Sequence, residues 1–426
     1  MTISKRDFLK ASGASLVALS VASQAKESPK NNHPSSALKD ITGSVSGITL
    51  AERKARIAKA QKIMQHSNIA ALVLEPGPSM DYFTGIQWWR SERVTAVIIP
   101  QSGEIAVVCP FFEEPSIRES LVIGDDVRVW QEHESPFKQV KQILKDRGLT
   151  KGNLAFEHSV RYFVLQGIMS EVTAMKDVSA EPITRGCRMI KSAHELQLMH
   201  KANEITLNAY AYVYSQLAVG MTGSDVKTLM HSAQSSLGGQ GIWNMALINE
   251  ASAFPHGTKQ KQSIKEGSIV LMDCGCSVYG YQSDISRTFV VGQPSKYQEK
   301  IWRTVRQGQE IAFETAKIGT PAGKVDDAVR EYYQTQGLGP DYKLPGLSHR
   351  TGHGIGMKGH ESVNFVHGEQ EKLQAGMCFS NEPGIYIPGS FGVRLEDCLY
   401  MTDKGPRWFT VPPDSLDSPI AQLAKL

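Results

Sequence analysis

The sequence lacks both a strong net charge and a long hydrophobic run. Its 46 Lys and Arg nearly balance 43 Asp and Glu, for a formal net charge of +3. A nucleic-acid footprint would need Lys and Arg clustered on one face, and no such cluster is present. The apolar run at residues 11–22 is shorter than the roughly 20 residues of a membrane-spanning helix. The composition therefore argues against nucleic-acid binding and against a membrane span in the mature chain.

Cysteine is also scarce, with six residues scattered over 426. This usage excludes a small disulfide-stapled fold. Cys274 and Cys276 flank Gly275, so a Cys-x-Cys site for a soft metal is one interpretation. Strand alternation points both thiols away from Asp273, and carboxylates dominate the neighbourhood. Buried apolar packing is the favoured interpretation of these cysteines.

Residues 1–25 predict a signal peptide. A basic stretch precedes the small apolar run, and Ser23-Gln24-Ala25 suits cleavage after Ala25. The segment resembles a twin-arginine signal, with Lys5 where the first arginine is usual. We therefore expect export, to the periplasm by the twin-arginine route. Residues 26–49 are polar and rich in Pro and Ser, which predicts a flexible linker.

Residues 50–185 predict a first domain of the α/β class. Helical patterns alternate with short runs of Val, Ile and Ala, as expected for strands covered by helices. The predicted strands are residues 69–76, 94–100, 104–110 and 153–158. Trp88 and Trp89 lie in a predicted loop beside Arg90. Core packing is one interpretation of this pair, and contact with substrate or with a second subunit is the other.

The second predicted domain, residues 186–426, opens with a long helix near Ser192, which forms a capping box with Glu195. Residues 268–291 then place Asp273 and Asp284 in two β-prone runs. A turn centred between residues 278 and 279 would set these aspartates directly opposite each other. Like charges opposite on a ladder are destabilising. A bound cation is the expected compensation.

A second hairpin with paired acids is predicted around Gly389. Glu382 and Glu396 lie at equal distances from this glycine, and Pro388-Gly389-Ser390 is a strong turn signal. Alternation places Arg394 on the face of Glu396 and Tyr386 on the face of Glu382. Two hairpins with paired acids indicate one site.

Histidines complete the predicted site. His349, His353 and His360 lie in a glycine-rich stretch that cannot form a stable helix, and His256 precedes a glycine. Four carboxylates with an imidazole suit Mn²⁺, Co²⁺, Fe²⁺ or Zn²⁺. So many acids imply two ions, about 3.5–4 Å apart with a hydroxide between them. This chemistry is hydrolysis of a carbonyl compound, with a histidine stabilising the oxyanion.

In order, these motifs resemble the creatinase/aminopeptidase P/prolidase metallopeptidases. The matching motifs are P-H-G at 255–257, D-x-G at 273–275, Y-x-S-D-I-S-R-T-F at 281–289, H-G-I-G-x-x-x-H-E at 353–361, E-P-G-I-Y at 382–386 and V-R-L-E-D at 393–397. Y-F-T-G at 82–85 and R-M-I-K-S at 188–192 resemble the creatinase-type N-terminal domain. The resemblance implies an α/β N-terminal domain followed by an α+β pita-bread catalytic domain.

The resemblance also implies a role for each site residue. Asp284 and Glu396 would bridge the two ions, and Glu382 would also handle the proton of the water. His256 and His360 match substrate-binding and oxyanion-stabilising histidines. The implied metal ligands are Asp273, Asp284, His353, Glu382 and Glu396, and the implied catalytic residues are His256, His349, His360, Glu382, Tyr386 and Arg394.

The implied reaction is hydrolysis of an Xaa-Pro bond at a peptide N-terminus, on dipeptides as in prolidase or on longer peptides as in aminopeptidase P. Two divalent ions, Mn²⁺ first, and a homodimer are expected. A pita-bread binding protein with a silent site and other chemistry at the same metals stay as alternatives. Gly275 stands where the lyase branch of the family carries an aspartate, which weakens a lyase reading.

Overall fold

A computed structural model describes residues 38–420 and 422–423. The predicted signal peptide and residues 26–37 of the predicted linker lie outside the described residues. Residues 38–49, the rest of that linker, pack against the protein. The Ile41 N–H donates to the Leu237 carbonyl at 3.2 Å, and Leu38, Val45 and Ile48 also lie against the main core. With Ile41, these apolar residues recur every three or four positions, and all four lie against the core.

The first domain is built on a six-stranded mixed sheet. Its strands are β1 Ile69–Leu74, β2 Ala96–Pro100, β3 Ala106–Pro110, β4 Asp126–Trp130, β5 Gly152–Phe156 and β6 Met175–Ser179. Its helices are α1 Leu50–His66, α2 Pro78–Thr84, α3 Glu114–Ser120, α4 Pro136–Asp146, α5 Tyr162–Glu171 and α6 Glu181–Arg188. The strand order is β4-β3-β2-β1-β5-β6. Alternate residues of β1 enter two different cores, so both faces of the sheet are covered.

The sequence patterns missed β4 and β6, which are the two edge strands of this sheet. Both carry charged residues, and few of their side chains are buried. An edge strand has one partner and needs little apolar surface, so the usual strand pattern is weak there. The four predicted strands are the buried ones.

The second domain consists of two halves, each with a pair of helices covering a sheet. The first half contains α7 Ala193–Gln216, α8 Gly223–Ser236, β7 Gln240–Ile248, β8 Ser268–Val278, β9 Tyr281–Gln282 and β10 Ile285–Val291. The second contains α9 Lys296–Thr315, α10 Gly323–Thr335, β11 Gly352–Gly354, β12 Glu361–Phe365, β13 Cys378–Asn381, β14 Gly384–Ile387, β15 Phe391–Arg394, β16 Asp397–Thr402, β17 Gly405–Trp408, β18 Thr410–Val411 and β19 Gln422–Leu423. Short 3₁₀ turns occur at Thr42–Ser44, Phe111–Glu113 and Asn249–Ala253.

The sheet orders define the two halves. One sheet runs β10-β8-β7, with β9 beside β8, and the other runs β12-β11-β13-β16-β17. The capping box predicted for Ser192 and Glu195 begins α7. An α/β first domain followed by an α+β second domain is therefore confirmed. Among the described residues, no helix is both long and apolar enough to cross a membrane.

The register of the aspartate hairpin differs from the prediction by two residues. Asp273 lies opposite Ser286, rather than opposite Asp284. The turn is formed by Tyr279 and Gly280, both with positive φ, which is the geometry of a type I′ turn. The predicted turn would have needed positive φ at the β-branched Val278. Because the error is an even number, both aspartates still point from the same face.

The second hairpin has the predicted register. Strands β14 and β15 pair symmetrically about Gly389, and β13 and β16 continue the same register beyond them. Glu382 and Glu396 lie in the gap between these two ladders. They are not paired with each other in either ladder, because the β13–β16 ladder ends before them and the β14–β15 ladder begins after them.

One buried ion pair joins the two halves of the domain. Arg287 on β10 and Asp397 on β16 both have fully buried side chains. The guanidinium donates to both carboxylate oxygens, at 2.6 and 3.2 Å, and to the Glu396 carbonyl at 2.7 Å. Asp397 also accepts from Gln309 at 3.1 Å. The pair therefore fixes β10 against β16, the two elements that follow Asp284 and Glu396.

We predict that Arg287→Met lowers the free energy of unfolding of the metal-free protein by about 3–5 kcal/mol, because Asp397 would be left buried without its cation. Urea unfolding followed by circular dichroism measures this change. Arg303→Met is the matched control, since Arg303 is 78% exposed and 4.0 Å from Glu299, and its expected cost is below about 0.5 kcal/mol. Equal costs for the two variants would contradict the prediction.

Candidate metal centre

The structure brings all five predicted ligands together between the two sheets of the second domain. Their donor atoms form overlapping groups of three within 4.8 Å of one another, and one of these groups also includes His360. Two of the three groups combine residues from both halves, and the third, His353 with Glu382 and Glu396, lies within the second half. The five residues lie on β8, before β10, on β11, after β13 and before β16: Asp273, Asp284, His353, Glu382 and Glu396.

His353 is held in one orientation. Its Nδ1 lies 3.1 Å from the Gly354 carbonyl, so Nδ1 carries the proton and Nε2 is left as the donor atom. Nε2 is 3.3 Å from Glu382 Oε1 and 3.6 Å from Asp284 Oδ2. A backbone carbonyl that fixes the tautomer is typical of a metal-ligating histidine. Burial lowers the pKa of His353 well below its ordinary value, so the ring is neutral, as a ligand must be.

The carboxylates repel one another in the absence of a cation. Burial first, then the charge of Asp273, raises the pKa of Asp284 well above its ordinary value. Burial and the charge of Asp284 do the same for Glu396. Burial raises the pKa of Glu382 to about 7, with Arg394 opposing this rise. Buried acids at this spacing are costly unless a cation lies among them.

A second observation also indicates that these residues bind divalent cations. Oε1 of Glu396 is buried and has no hydrogen-bond partner among the described residues, whereas Oε2 lies 2.7 Å from Ser286 Oγ. An unpartnered buried carboxylate oxygen beside three further acids is a free ligand position. Four carboxylates and one imidazole suit hard or borderline divalent ions.

A chain of hydrogen bonds supports the cluster from behind. Arg394 donates to Asp273 at 2.7 Å, to Ser286 at 2.9 Å and to the Tyr386 hydroxyl at 2.9 Å. Tyr386 lies 2.7 Å from Nε2 of His349. Burial, then the charge of Arg394, lowers the pKa of His349 to about 3. His349 is therefore neutral. Its Nδ1–H donates to the Arg350 carbonyl, so its Nε2 accepts a hydrogen bond from the Tyr386 hydroxyl.

The two remaining predicted histidines lie at the mouth of the site. His360 is exposed, and its ring centroid is 4.2 Å from that of His353 in an edge-to-face contact. His256 is exposed on the loop after the 3₁₀ turn that follows β7. The Pro255 carbonyl beside it accepts from Arg394 at 3.3 Å. Both imidazoles thus stand where a bound molecule would meet them.

Sequence reasoning missed two polar residues of the site. Ser286 lies 2.9 Å from Asp273 and bridges it to Glu396. The correct hairpin register would have found it, because Ser286 is the direct partner of Asp273. Arg350 is the other. Its charge adds to the effect of burial in lowering the pKa of His353 and His360 and opposes the rise in the pKa of Glu382. Its guanidinium has no hydrogen-bond or ion-pair partner in the described part of the chain.

The Cys-x-Cys interpretation is not supported. Cys274 and Cys276 are buried on the other face of β8, where the Cys276 thiol lies 3.4 Å from Thr206 on α7. Neither residue belongs to a ligand group formed by the described residues. All six cysteines are buried and free. Burial raises the pKa of Cys378 to about 12, so this thiol is unreactive.

These features define a carboxylate-rich site for divalent cations, built between two sheets of an α+β domain. The sequence model of metallopeptidase family M24 matches residues 197–403, and that of the Creatinase/Prolidase N-terminal domain matches residues 56–190. A protein named probable dipeptidase PepE from Mycobacterium bovis is 31% identical over 358 residues, which are 82% of this chain and 92% of the relative. The chain belongs to metallopeptidase family M24.

Solved structures agree with this assignment. Dipeptidase PepE from Mycobacterium ulcerans superposes with a TM-score of 0.78 at 31% identity, covering 85% of this chain and 96% of the other. A prolidase from Thermococcus sibiricus gives a TM-score of 0.78 at 26% identity, covering 85% and 97%. The two-half second domain is thus the pita-bread fold that the motifs imply.

We predict that cation binding to the metal-free protein releases protons, because a cation must displace them from carboxyl groups of raised pKa. Below about pH 7, the value for Glu382, the affinity should fall by about tenfold per pH unit for each displaced proton. Calorimetric titration with Mn²⁺ in buffers of different ionisation enthalpy counts these protons. Asp284→Asn should bind more weakly and release fewer. A pH-independent affinity between pH 5 and 8 would contradict the raised pKa values.

Proposed function

We propose that this metallopeptidase hydrolyses the bond between an N-terminal residue and a following proline, with Xaa-Pro dipeptides as the preferred substrates. The observation that carries the proposal is the complete ligand cluster. Each of its five positions has a carboxylate or imidazole side chain, and two further imidazoles lie at its mouth. Two relatives support the substrate class: an Xaa-Pro dipeptidase from Lactobacillus helveticus is 29% identical over 83% of this chain and 95% of its own length, and the prolidase named above shares the fold.

The proposed cofactors are two divalent ions, Mn²⁺ first, with Co²⁺, Fe²⁺ or Zn²⁺ as alternatives. Asp273, Asp284, His353, Glu382 and Glu396 would hold them, and Asp284 and Glu396 would be the shared ligands that the family resemblance implies. When bound, such ions supply an activated water and polarise the scissile carbonyl. The rest of the chemistry falls to side chains of this chain.

Proton transfer and charge stabilisation can be assigned to named atoms. Glu382, a buried carboxylate within the cluster, would accept the proton of the attacking water and pass it to the leaving nitrogen. Burial lowers the pKa of His360, so the ring is neutral and acts as an N–H donor. That donor stabilises the negative charge that develops on the carbonyl oxygen. His256, exposed beside the Pro255–Arg394 contact, would contact the substrate.

Arg350 supports the preference for dipeptides. An Xaa-Pro dipeptide carries a carboxylate one residue beyond the scissile bond, whereas a longer peptide has an amide there. The charge of Arg350 acts on His353, His360 and Glu382, and its guanidinium has no counter-ion among the described residues. It is therefore available to bind that carboxylate. Arg-carboxylate pairs are strong and directional.

We predict that the metal-reconstituted protein hydrolyses Ala-Pro and Gly-Pro faster than Ala-Pro-Gly, and that Arg350→Ala removes this difference. The variant should raise KM for Ala-Pro about tenfold or more, as for loss of a charged hydrogen bond, and change the tripeptide rate by less than about threefold. Product analysis by chromatography measures both rates.

Two outcomes would contradict this reading. Faster cleavage of the tripeptide by the unaltered protein would favour the aminopeptidase P type. No hydrolysis of either peptide by protein with measured bound metal would favour a binding protein with a silent site, or other chemistry at the same metals. Asp284→Asn is the negative control, and full activity in this variant would contradict the mechanism.

A homodimer is a further part of the proposal, with the Trp88-Trp89 loop as its contact or as a limit on peptide length. The two indole rings are stacked at 4.6 Å, and Trp89 is 66% exposed. Trp88 is half-buried against the main core, so the exposed apolar surface is the Trp89 ring stacked on it, which another surface would cover in a dimer.

We predict that Trp89→Ser lowers the fraction of dimer in sedimentation experiments or raises the tripeptide-to-dipeptide rate ratio, because the exposed ring no longer contacts a partner or the substrate. Tyr162→Ser is the control, since Tyr162 is 75% exposed on the same domain. If both properties stay as in the unaltered protein, the loop has neither role.

A further inference from the structure

Glu361 follows His360 directly and points away from the metal centre, toward the first domain. Its side chain is 8% exposed and lies between two cations. Arg188 at the end of α6 contacts Oε1, and the Lys191 ammonium is 3.2 Å from Oε2. The backbone N–H of Lys358 also donates to Oε1 at 3.1 Å. The carboxylate thus closes the loop of residues 355–360 onto itself.

The loop is packed tightly around this carboxylate. A Cβ added to Gly356 would come within 2.8 Å of Glu361 Oε2 and 2.9 Å of the Lys191 Cε. A side chain at this position would displace the Glu361 carboxylate or the Lys191 chain from their contact. The Gly356 carbonyl accepts from Gln282 at 2.8 Å, which ties the other side of the loop to the aspartate hairpin. His360 therefore stands at the end of a loop fixed at two points.

Arg188 continues the contact into the first domain. Its other terminal nitrogen donates to Ser79 at 2.7 Å and lies 3.8 Å from Glu157. Ser79, on α2, itself donates to Glu157, which follows β5. One guanidinium therefore bridges two elements of the first domain and the loop that carries His360.

The charges in this cluster keep Glu361 ionised. Burial alone would raise the pKa of Glu361, but Lys191 and Arg188 outweigh it and hold the pKa at about 2. Removal of the charge would leave two buried cations without their shared partner. The contacts therefore depend on the carboxylate and not only on its shape.

We propose that Glu361 is a positioning residue that sets the place of His360, and that Arg188 makes this position depend on the docking of the first domain. The part that concerns catalysis rests on the proposed function, in which His360 donates to the substrate oxygen. The part that concerns the position of the loop is independent of the proposed function. Two separate measurements follow from this division.

The first measurement is amide hydrogen exchange of the full chain, read by mass spectrometry over residues 352–365. Glu361→Gln keeps the shape of the side chain and removes its charge, so exchange in this segment should rise by about tenfold, as for a lost charged hydrogen bond. Arg185→Ala is the matched control. Arg185 also lies on α6 and reaches the second domain, with its guanidinium 2.6 Å from Glu371, but it does not contact the loop, so exchange there should be unchanged.

The second measurement is a double-mutant cycle with His360→Ala on an Xaa-Pro dipeptide. Glu361→Gln should lower kcat about tenfold or more with little change in KM, and by less than about twofold when His360 is already absent. Metal content should equal that of the unaltered protein. Lys191→Gln removes one of the two cations and should give a smaller loss of the same sign, which covers the case in which Glu361→Gln does not fold.

Three results would overturn the proposal. Unchanged exchange over residues 352–365 in both Glu361→Gln and Lys191→Gln removes the positioning role. An equal loss of kcat with and without His360 shows that Glu361 acts by another route. A rise in exchange with Arg185→Ala equal to that with Glu361→Gln shows a general effect of domain docking. If the unaltered protein fails to cleave Xaa-Pro peptides while exchange follows the expectation, the proposed function fails and the loop assignment stands.

Discussion

The Arg287–Asp397 pair is the constraint on which the second domain depends. It joins β10 to β16 through two hydrogen bonds between fully buried groups. Arg287 lies three residues after Asp284, and Asp397 is the residue after Glu396. The ion pair therefore also limits the distance between Asp284 and Glu396. The acids gathered there repel one another. Acids packed this closely are stable when they hold protons or when a cation lies among them, so cation binding stabilises the fold at neutral pH.

The two hairpins explain how a chain can place four acids in one small space. In the first hairpin the type I′ turn fixes the register, and in the second Gly389 fixes the register of two successive ladders. Glu382 and Glu396 fall where these ladders separate, and their backbone N–H groups donate instead to the carbonyls of Thr351 at 2.9 Å and Ser286 at 3.1 Å. Loop positions held between regular elements are the usual place for such side chains. His353 joins them from a strand of three residues.

Much of this arrangement could be predicted from the sequence, and the failures have physical reasons. The acid hairpins were readable because turn residues and strand parity are local properties. The predicted register of the first hairpin was wrong because it assumes that Asp273 and Asp284 lie directly opposite each other. The residues that favour a type I′ turn, Tyr279 and Gly280, indicate the correct register. Ser286 and Arg350 were missed because a hydroxyl and an arginine carry no distinctive spacing. Residues 38–49 were misread because composition averages out a one-sided apolar pattern.

The buried cysteines have a consequence for handling the protein. All six thiols are free and enclosed, and the Cys398 thiol lies 3.2 Å from the carbonyl of Asp284 itself. Because none is paired, no disulfide contributes to the stability of the fold. A thiol held against a ligand's backbone would, once oxidised to a bulkier acid, displace that ligand. Oxidation of Cys398 while the chain is unfolded would therefore weaken metal binding after refolding.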